Sequence, residues 1–274
     1  MIKTSLANSS LQEHLIRELL VNSELQNTVD LHLCETVGST NDFVMSRLGV
    51  SSADYLVCVA NHQTEGRGRN GRQWQSPADS NIYMSVGYKM SGVNASVLSC
   101  LSLACGVSIA NVVNELGIKP QLKWPNDILV SGKKLAGILI ETRIKGDDIF
   151  VVIGLGLNVD MPDRVSQEID QPWTDLHSSM AGESIRVDNN QLVSQLIRAI
   201  VSACNVYQQD GMRPFLEDWS KYDALKGQDV WLCVNDQVDH ARVVGINEDC
   251  SLQVEMSGYE KSIYAADVKI KLKK

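Results

Sequence analysis

A cluster of arginines and glycines is the segment of this sequence whose residue types most clearly indicate chemistry. The run from Gly66 to Arg72 holds three glycines and three arginines in seven residues. Glycine lets a backbone approach a ligand closely, and guanidinium groups are permanent cations that bind carboxylates and phosphates. The run lacks the Gly-Lys-Ser or Gly-Lys-Thr ending of a P-loop. It is interpreted as a flexible anion-binding loop, with a solvated basic turn as the alternative.

A second polar segment, Lys123 to Asp127, stands just before a short apolar run. Pro125 restricts the backbone and so points Asn126 and Asp127 in defined directions. A carboxylate here is a candidate Mg²⁺ ligand, because Mg²⁺ in proteins takes one or two carboxylates together with phosphate oxygens. The alternative is a turn in which the Asn and Asp side chains satisfy backbone groups.

Lys134 is a candidate cation at the entrance of a predicted hairpin. Strict strand alternation predicts that Lys134 and Ala136 lie on one face and Leu135 and Gly137 on the other. From the residues alone, the favoured interpretation of Lys134 is an ordinary surface lysine.

Two other segments have a structural and a functional interpretation. Gly154 and Gly156 weaken the strand that contains them, unless a flat ligand or a closely packed helix must lie against the backbone. Ser39, Thr40 and Asn41 are polar groups for a ligand or an ordinary N-cap for the helix that follows.

Hydrophobic periodicity predicts the elements that position these residues. Helices are predicted over residues 10–21, 96–116, 190–207 and 213–222, and strands over residues 56–60, 82–88, 128–130, 135–141 and 149–157. Gly117 is a predicted C-cap, and Asp188 or Asn189 a predicted N-cap. Short turns at residues 131–132 and 146–147 join the last three strands, which predicts an antiparallel meander. Four short strands after residue 227, over residues 230–234, 241–246, 252–256 and 262–265, predict a small β-barrel as a second domain.

Composition restricts the class of protein. The 274 residues fit one large domain with a small appendage, and 44% hydrophobic residues suffice for a core. The net charge of −8 argues against a protein that mainly binds nucleic acid. No apolar run reaches the roughly 18 residues of a membrane span, and Met1 to Asn8 do not resemble a signal peptide. Seven cysteines without a CxxC pair predict buried, reduced thiols and a cytoplasmic location.

In their order along the chain, these segments resemble the biotin–protein ligases. The matching segments are residues 38–41, Gln63 with residues 66–74, and residues 81–83, 123–127, 134–139 and 154–159. The resemblance runs from about residue 32 to the end. It implies an α+β fold like the class II aminoacyl-tRNA synthetases, with helices packed on a mixed, mainly antiparallel sheet. The implied domains are an N-terminal helical extension (1–30), a catalytic domain (31–226) and an SH3-like β-barrel (227–274).

The resemblance also implies roles for individual residues. The implied biotin-binding residues are Ser39, Thr40, Asn41, Gln63, Gly66, Arg67, Gly68, Arg69, Lys134 and Gly137. The implied nucleotide-binding residues are Arg69, Arg72, Trp74, Asn126, Asn158 and Trp173. Lys134, Arg67 and Arg69 would be catalytic, and Asp127 would help to hold Mg²⁺.

The implied reaction uses ATP and Mg²⁺ and has two steps. The biotin carboxylate attacks the α-phosphorus of ATP, and a lysine of a biotin carrier domain of a carboxylase then attacks the adenylate. Both anions of the first step need charge neutralisation and alignment, and no side-chain nucleophile is required. The alternatives are a lipoate or octanoyl ligase of the same fold and a non-catalytic sensor of biotin-adenylate.

Only some 30 residues precede the implied catalytic core, too few for a winged-helix DNA-binding domain. We therefore expect a ligase without specific DNA binding or membrane association. Homodimerisation is possible in such a protein, but no motif in the sequence decides it.

Overall fold

The computed structural model of the chain describes residues 10–21, 25, 28–90, 98–163, 169–180, 187–234, 237–265 and 268–272. The helices are α1 (Glu13–Val21), α2 (Thr40–Arg47), α3 (Leu98–Glu115), α4 (Leu176–Ser179), α5 (Asn189–Asp210) and α6 (Leu216–Tyr222). The strands of the larger sheet are β1 (Val29–Val37), β2 (Tyr55–Gln63), β3 (Asn81–Met90), β4 (Pro120–Lys123), β5 (Asp127–Val130), β6 (Lys133–Lys145) and β7 (Asp148–Asn158). The smaller sheet contains β8 (Asp229–Val234), β9 (Gln237–Ile246), β10 (Leu252–Met256), β11 (Tyr259–Ile263) and β12 (Val268–Leu272).

The larger sheet has seven strands in the order β1-β2-β3-β7-β6-β5-β4. Only the β1–β2 pair is parallel, so the sheet is mixed and mainly antiparallel, as predicted. The predicted meander of β5, β6 and β7 is confirmed. Ser131 and Gly132 both have positive φ, 50° and 74°, which a tight two-residue hairpin turn requires.

A β-bulge between β5 and β6 corrects the predicted orientation of Lys134. Ile128 pairs with Ala136, but the next residue, Leu129, pairs with Lys134, so Leu135 is the extra residue of β6. A Cβ atom added to Gly137 would lie 3.2 Å from Lys134 Cε. Lys134 and Gly137 therefore share one face. The prediction from strict alternation was wrong because a bulge shifts the period of two.

Helices cover both faces of the larger sheet. On one face, α3 and α5 pack on an apolar core that includes Leu101, Ile109 and Ile197, each fully buried. On the other face, α2 contributes Val44 and Leu48 to a smaller apolar cluster. The side chain of Asp188 caps α5 by accepting hydrogen bonds from the Asn190 and Gln191 amides, as predicted. Gly117, with a φ of 81°, follows α3 as predicted.

The N-terminal helix α1 is docked on this core. Ile16 and Leu20 are buried, and Arg198 Nη1 donates to the carbonyl of Leu19 at 2.9 Å. The signal-peptide expectation for Met1 to Asn8 lies outside the described residues, as does Val97 of the predicted third helix. In the part of the chain that the structure describes, no helix is long and apolar enough to cross a membrane.

The smaller sheet is antiparallel, with the strand order β11-β10-β9-β8-β12. Four of its strands were predicted. The fifth, β12, was not, and it pairs with β8 through residues Val268 to Leu272. The pairings among the described residues form an open series rather than a closed barrel.

A disulfide links helix α3, which packs on the larger sheet, to a turn of the smaller sheet. The prediction that all cysteines are reduced was therefore wrong. Cys100 in α3 is bonded to Cys250, which lies in the turn between β9 and β10. Beside this bond, Trp124 Nε1 donates to the carbonyl of Cys250 at 2.9 Å. The sequence offered no sign of the pair, because the two residues are separated by 150 positions.

Candidate active site

A cavity of about 780 Å³ opens where α2, the arginine–glycine loop and strands β5 to β7 meet. Its volume is in the range of sites that hold a small molecule or a nucleotide. The predicted site residues that line it are Ser39, Thr40, Asn41, Gln63, Arg67, Gly68, Arg69, Arg72, Trp74, Asn126, Asp127, Lys134, Gly137, Asn158 and Trp173. The fold therefore brings together segments that are far apart in sequence.

Gly66 is the predicted site residue that does not line this cavity. A Cβ atom there would lie 2.6 Å from both Ser76 Oγ and the carbonyl oxygen of Trp74. Gly66 is thus required because the chain crosses itself closely at the base of the loop, a structural reason rather than contact with the cavity.

Uncharged polar groups form one end of the cavity. Gln63 Oε1 accepts hydrogen bonds from the backbone N–H of Thr40 at 2.9 Å and from Thr40 Oγ1 at 3.1 Å. Gln63 Nε2 in turn donates to Ser76 Oγ at 3.1 Å. Ser39 occupies the N-cap position of α2, but its side chain makes no capping hydrogen bond. The polar groups of residues 39–41 are thus directed to the cavity and its surroundings rather than used to cap the helix.

The two glycines of β7 make room for side chains that border the cavity. A Cβ atom on Gly154 would lie 2.3 Å from Asn41 Oδ1, at the start of α2. A Cβ atom on Gly156 would lie 2.4–2.6 Å from the Trp74 indole. Close packing of helix α2 therefore explains Gly154. The flat ring that lies against Gly156 is the Trp74 indole of the protein itself. The Trp74 Nε1 group is buried without a hydrogen-bond partner among the described residues.

The arginine–glycine loop has a defined backbone conformation. Arg67 and Gln73 form an isolated β-bridge, and the Gly68 amide donates to the carbonyl of Arg72 at 2.7 Å. Asn70 and Gly71, with φ of 57° and 69°, turn the chain. A short hairpin thus presents the arginines, where the sequence predicted a flexible segment.

The arginines of the loop have different partners. Arg67 donates from both terminal nitrogens to the Asp42 carboxylate at 2.6 and 2.7 Å and lies 3.4 Å from Glu141. The Arg67 guanidinium lowers the pKa of Asp42, and Asp42 raises the pKa of Arg67. Arg69 is half-buried and donates to the backbone carbonyl of Ala265, which precedes β12. Burial lowers the pKa of Arg69.

Charged groups form the other end of the cavity. Lys134 Nζ lies 2.7 Å from Asp127 Oδ1, and both side chains are mostly buried. Lys123, which the sequence did not single out by itself, also lines this end. Burial lowers the pKa of Lys123, and nearby Lys134 and Arg72 lower it further, while Asp127 opposes this shift. Cations this close repel one another, which favours an anionic ligand between them.

The two candidate nucleotide-binding asparagines use their amide N–H groups within the protein. Asn126 Nδ2 donates to the carbonyl of Ile138 at 2.8 Å, and Asn158 Nδ2 donates to the carbonyl of Thr174 at 3.0 Å. For Asn126, this supports the interpretation as a turn residue that satisfies backbone groups. Trp173 forms a β-bridge with Lys134, so the indole-bearing segment lies beside the cationic end.

Asp127 fits the expected role of a Mg²⁺ ligand. It and Asp170 are the carboxylates among the described residues that line the cavity, and carboxylates with phosphate oxygens are the donors that Mg²⁺ prefers. The described residues contain no group of three or more His, Cys, Asp or Glu side chains that could hold a metal alone. A metal at Asp127 would therefore depend on ligand oxygens.

Three polar residues that contact this site were missed in the sequence. Glu141 in β6 pairs with Arg67 and Asn41, Ser85 in β3 contacts Thr40 and Asn41, and Asp42 pairs with Arg67. Glu141 and Ser85 lie in apolar strands, where an isolated polar residue at an inward position is the signal that could have identified them.

Comparison with known proteins identifies the family. A family model described as the biotin/lipoate A/B protein ligase family matches residues 33–158. The bifunctional ligase/repressor BirA of Escherichia coli (strain K12) is 34% identical over 238 residues, which cover 86% of this chain and 72% of that protein. The chain belongs to the biotin–protein ligase family.

Two further relatives support this family assignment. The biotin–[acetyl-CoA-carboxylase] ligase of Mycobacterium tuberculosis is 36% identical over 196 residues, 69% of each chain. The structure of the biotin protein ligase from Aquifex aeolicus in complex with biotin and ATP superposes with a TM-score of 0.73. The superposition covers 89% of this chain and 99% of the Aquifex aeolicus chain at 24% sequence identity. The two proteins therefore share the same fold.

Proposed function

We propose that the protein is an ATP-dependent biotin–protein ligase, which forms biotinyl-5′-AMP and transfers biotin to a lysine of an acceptor protein. The observation that carries this proposal is the polarity of the cavity. Neutral hydrogen-bonding groups form one end, at Thr40 and Gln63, and charged groups form the other, at Lys134 and Asp127. Biotin has the matching polarity, with a neutral ureido ring at one end and a carboxylate at the other.

The first step needs the carboxylate of biotin and the α-phosphate of ATP to come together. Two anions repel each other, so the cations of the charged end lower the barrier by neutralising them in a partly buried site. Lys134 is the group that we assign to the carboxylate and α-phosphate, with Arg67 and Arg69 of the loop as the other cations. Lys123 is added here as a candidate contact for the leaving pyrophosphate, because it is partly buried, lines the cavity and lies near Lys134 and Arg72.

Nucleotide binding is assigned to the residues around Lys134. We propose that the Trp173 indole packs on the adenine, and that Arg69, Arg72, Trp74, Asn126 and Asn158 contact the rest of the nucleotide. Asn158 would contact it through its carbonyl oxygen, since its amide nitrogen already donates to the carbonyls of Lys134 and Thr174. Asn126 would use its carbonyl oxygen or its second N–H, since it donates one N–H to the carbonyl of Ile138. A Mg²⁺ ion held by Asp127 would neutralise phosphate charge and align the phosphates.

The acceptor in this proposal is a biotin carrier domain of a carboxylase, as the name of the Mycobacterium tuberculosis relative suggests. Strands β8 to β12 would form the SH3-like barrel of a second domain, residues 227–274, after a catalytic domain of residues 31–226. A cytoplasmic location and a homodimer stay predictions.

One assay distinguishes the proposal from its alternatives. The purified chain is incubated with ATP, Mg²⁺ and labelled biotin or labelled lipoate, together with a biotin carrier domain. We expect biotin label on the acceptor only with ATP, and none on an acceptor whose target lysine is replaced by arginine. Label from lipoate alone would select the lipoate ligase, and binding of biotin without any labelling would select the non-catalytic sensor.

A further inference from the structure

A chain of buried polar side chains links Glu141 to the neutral end of the cavity. Asn41 Nδ2 donates to Glu141 Oε2 at 2.6 Å, and Asn41 Oδ1 accepts from Ser85 Oγ at the same distance. Ser85 Oγ lies 2.7 Å from Thr40 Oγ1, which lines the cavity. Ser85 is fully buried, and Thr40 and Asn41 are each 4% exposed. Water therefore has little access to the Asn41, Ser85 and Thr40 part of this chain, whereas the Glu141 side chain is 36% exposed.

The carboxylate fixes the direction in which each member of the chain donates. An ionised Glu141 can only accept, so Asn41 must turn its N–H toward it and its carbonyl oxygen toward Ser85. A carbonyl oxygen cannot donate, so Ser85 gives its single hydroxyl proton to Asn41. The Thr40 hydroxyl has one proton and two acceptors within reach, Ser85 Oγ at 2.7 Å and Gln63 Oε1 at 3.1 Å. Because Ser85 gives its own proton to Asn41, we assign the Thr40 proton to the shorter contact, with Ser85.

This direction determines what Thr40 can offer to a ligand. Once its proton points to Ser85, Thr40 Oγ1 presents only lone pairs to the cavity. Gln63 Oε1, 3.1 Å away, then does not receive the proton that Thr40 Oγ1 could otherwise give it, and it keeps only the hydrogen bond from the Thr40 backbone N–H. Two acceptors at this distance repel each other unless a donor lies between them, so the pair is suited to one ligand N–H group.

We propose that Glu141 is a positioning residue that makes Thr40 an obligatory hydrogen-bond acceptor, and so selects a ligand that offers an N–H group at this end of the cavity. The inference rests on the proposed function, in which this N–H belongs to the ureido ring of biotin. Glu141 acts through Asn41 and Ser85. Gly154 is needed for the same arrangement, because a Cβ atom there would displace the Asn41 amide.

The ion pair of Glu141 with Arg67 is a separate contact and must be separated experimentally. Arg67 lies 3.4 Å from Glu141 but makes its shorter, bidentate contact with Asp42 at 2.6 and 2.7 Å. The Asp42 carboxylate makes its side-chain contacts with Arg67 and forms no hydrogen bond to Asn41 or Ser85. The variant Asp42→Asn therefore weakens the ion pair between Arg67 and Asp42 and leaves the hydrogen bonds among Glu141, Asn41, Ser85 and Thr40 intact. It is the matched control.

The test is calorimetric titration of biotin into wild-type protein and the variants Glu141→Gln, Asp42→Asn, Thr40→Val and Glu141→Gln/Thr40→Val. Glutamine has the size of glutamate but lacks the charge that fixes the direction of the chain. We expect Glu141→Gln to raise the Kd for biotin about ten-fold, the range for a hydrogen bond assisted by a charged group. Asp42→Asn, which perturbs Arg67 without touching the hydrogen-bond chain, should raise the Kd clearly less than Glu141→Gln does.

The double variant tests whether Glu141 acts through Thr40. In the Thr40→Val background the acceptor is gone, so adding Glu141→Gln should cause no further loss of affinity. The KM for ATP at saturating biotin should stay within about two-fold in Glu141→Gln, because the nucleotide binds at the other end of the cavity.

Two outcomes would overturn the inference: unchanged biotin affinity in Glu141→Gln, or a full ten-fold loss from Glu141→Gln in the Thr40→Val background. An equal loss in Asp42→Asn would also overturn it, since the effect would then come from Arg67. If wild-type protein does not bind biotin at all, the proposed function fails instead. The two failures are therefore distinguishable.

Discussion

At Gly156 in β7, a single added methyl group is expected to disturb the ligand cavity and the packing of the protein. A Cβ atom there would lie 2.4–2.6 Å from the Trp74 indole, a distance that the two groups cannot share. Because Trp74 lines the cavity, the ring has to move into the space of the ligand. The sequence indicated only that something lies against this backbone and could not identify the ring, since Trp74 is distant along the chain.

The variant Gly156→Ala is expected to weaken biotin binding at least about ten-fold, while overpacking destabilises the fold by roughly 1–3 kcal/mol. Titration calorimetry and thermal unfolding measure the two effects. Gly106→Ala in α3 is the control, because its Cβ atom would make ordinary contacts at 3.5 and 3.7 Å. Alanine in a helix interior should stabilise by about 0.5–1 kcal/mol and leave biotin binding unchanged. Equal biotin affinity in both variants would contradict this account.

Lys134 is the residue whose charge we expect the first chemical step to need most. Replacing it by alanine should slow pyrophosphate release in a single turnover by about 100-fold, the usual effect of losing one preorganised group that stabilises developing charge. Biotin affinity should fall much less, since the ureido ring binds at the other end of the cavity. Its exposed neighbour gives the matched control, Lys133→Ala, which should react at the wild-type rate. A Lys134→Ala enzyme of normal single-turnover rate would remove Lys134 from the mechanism.

At the scale of elements, the sequence predicted the framework of the site better than its details. The turns at residues 131–132 and 146–147 correctly predicted the β5–β6–β7 meander, because tight turns join antiparallel strands. The bulge at Leu135 was not predictable, since pairing register depends on the partner strand as well as on the local pattern. Strand β12 was missed for a related reason: its alternating lysines resemble an exposed tail until pairing with β8 is known.

The arginine–glycine loop is the element that we expect to retain the adenylate. Arg69 is half-buried in this loop and donates to the carbonyl of Ala265. The variant Arg69→Gly should increase the off-rate of biotinyl-adenylate far more than it lowers the melting temperature. Asn70→Gly is the control, because a φ of 57° suits glycine and the residue carries no charge. If biotinyl-adenylate leaves Arg69→Gly at the wild-type rate, the loop does not retain the adenylate through Arg69.

At the scale of the whole molecule, the Cys100–Cys250 disulfide fastens the turn between β9 and β10 to helix α3. Cys250 has a φ of 63°, a conformation that costs free energy for a residue with a side chain. Arg69 and Trp124 make further contacts between the two sheets' regions through the carbonyls of Ala265 and Cys250. The smaller sheet is thus tied to the loop and to the segment before β5, both of which line the cavity.

Removing this disulfide in Cys100→Ser/Cys250→Ser should destabilise the protein by up to about 5 kcal/mol, the chain-entropy estimate for a cross-link over 150 residues. Thermal unfolding measures the loss, and Cys233→Ser in β8 is the control, since Cys233 is free. Alkylation of unfolded protein should label five cysteines before reduction and all seven afterwards. Seven labelled cysteines without a reductant would contradict the cross-link.

The measurement that tests the central claim most directly is pyrophosphate release in the absence of acceptor. Wild-type protein is mixed with excess ATP and Mg²⁺, with or without biotin, and pyrophosphate and the bound nucleotide are quantified. We predict a biotin-dependent burst of one pyrophosphate per active site, together with one bound biotinyl-5′-AMP. When the carrier domain is added, this adenylate should be consumed and AMP released. Pyrophosphate release that does not depend on biotin, or acceptor labelling without AMP formation, would contradict the account.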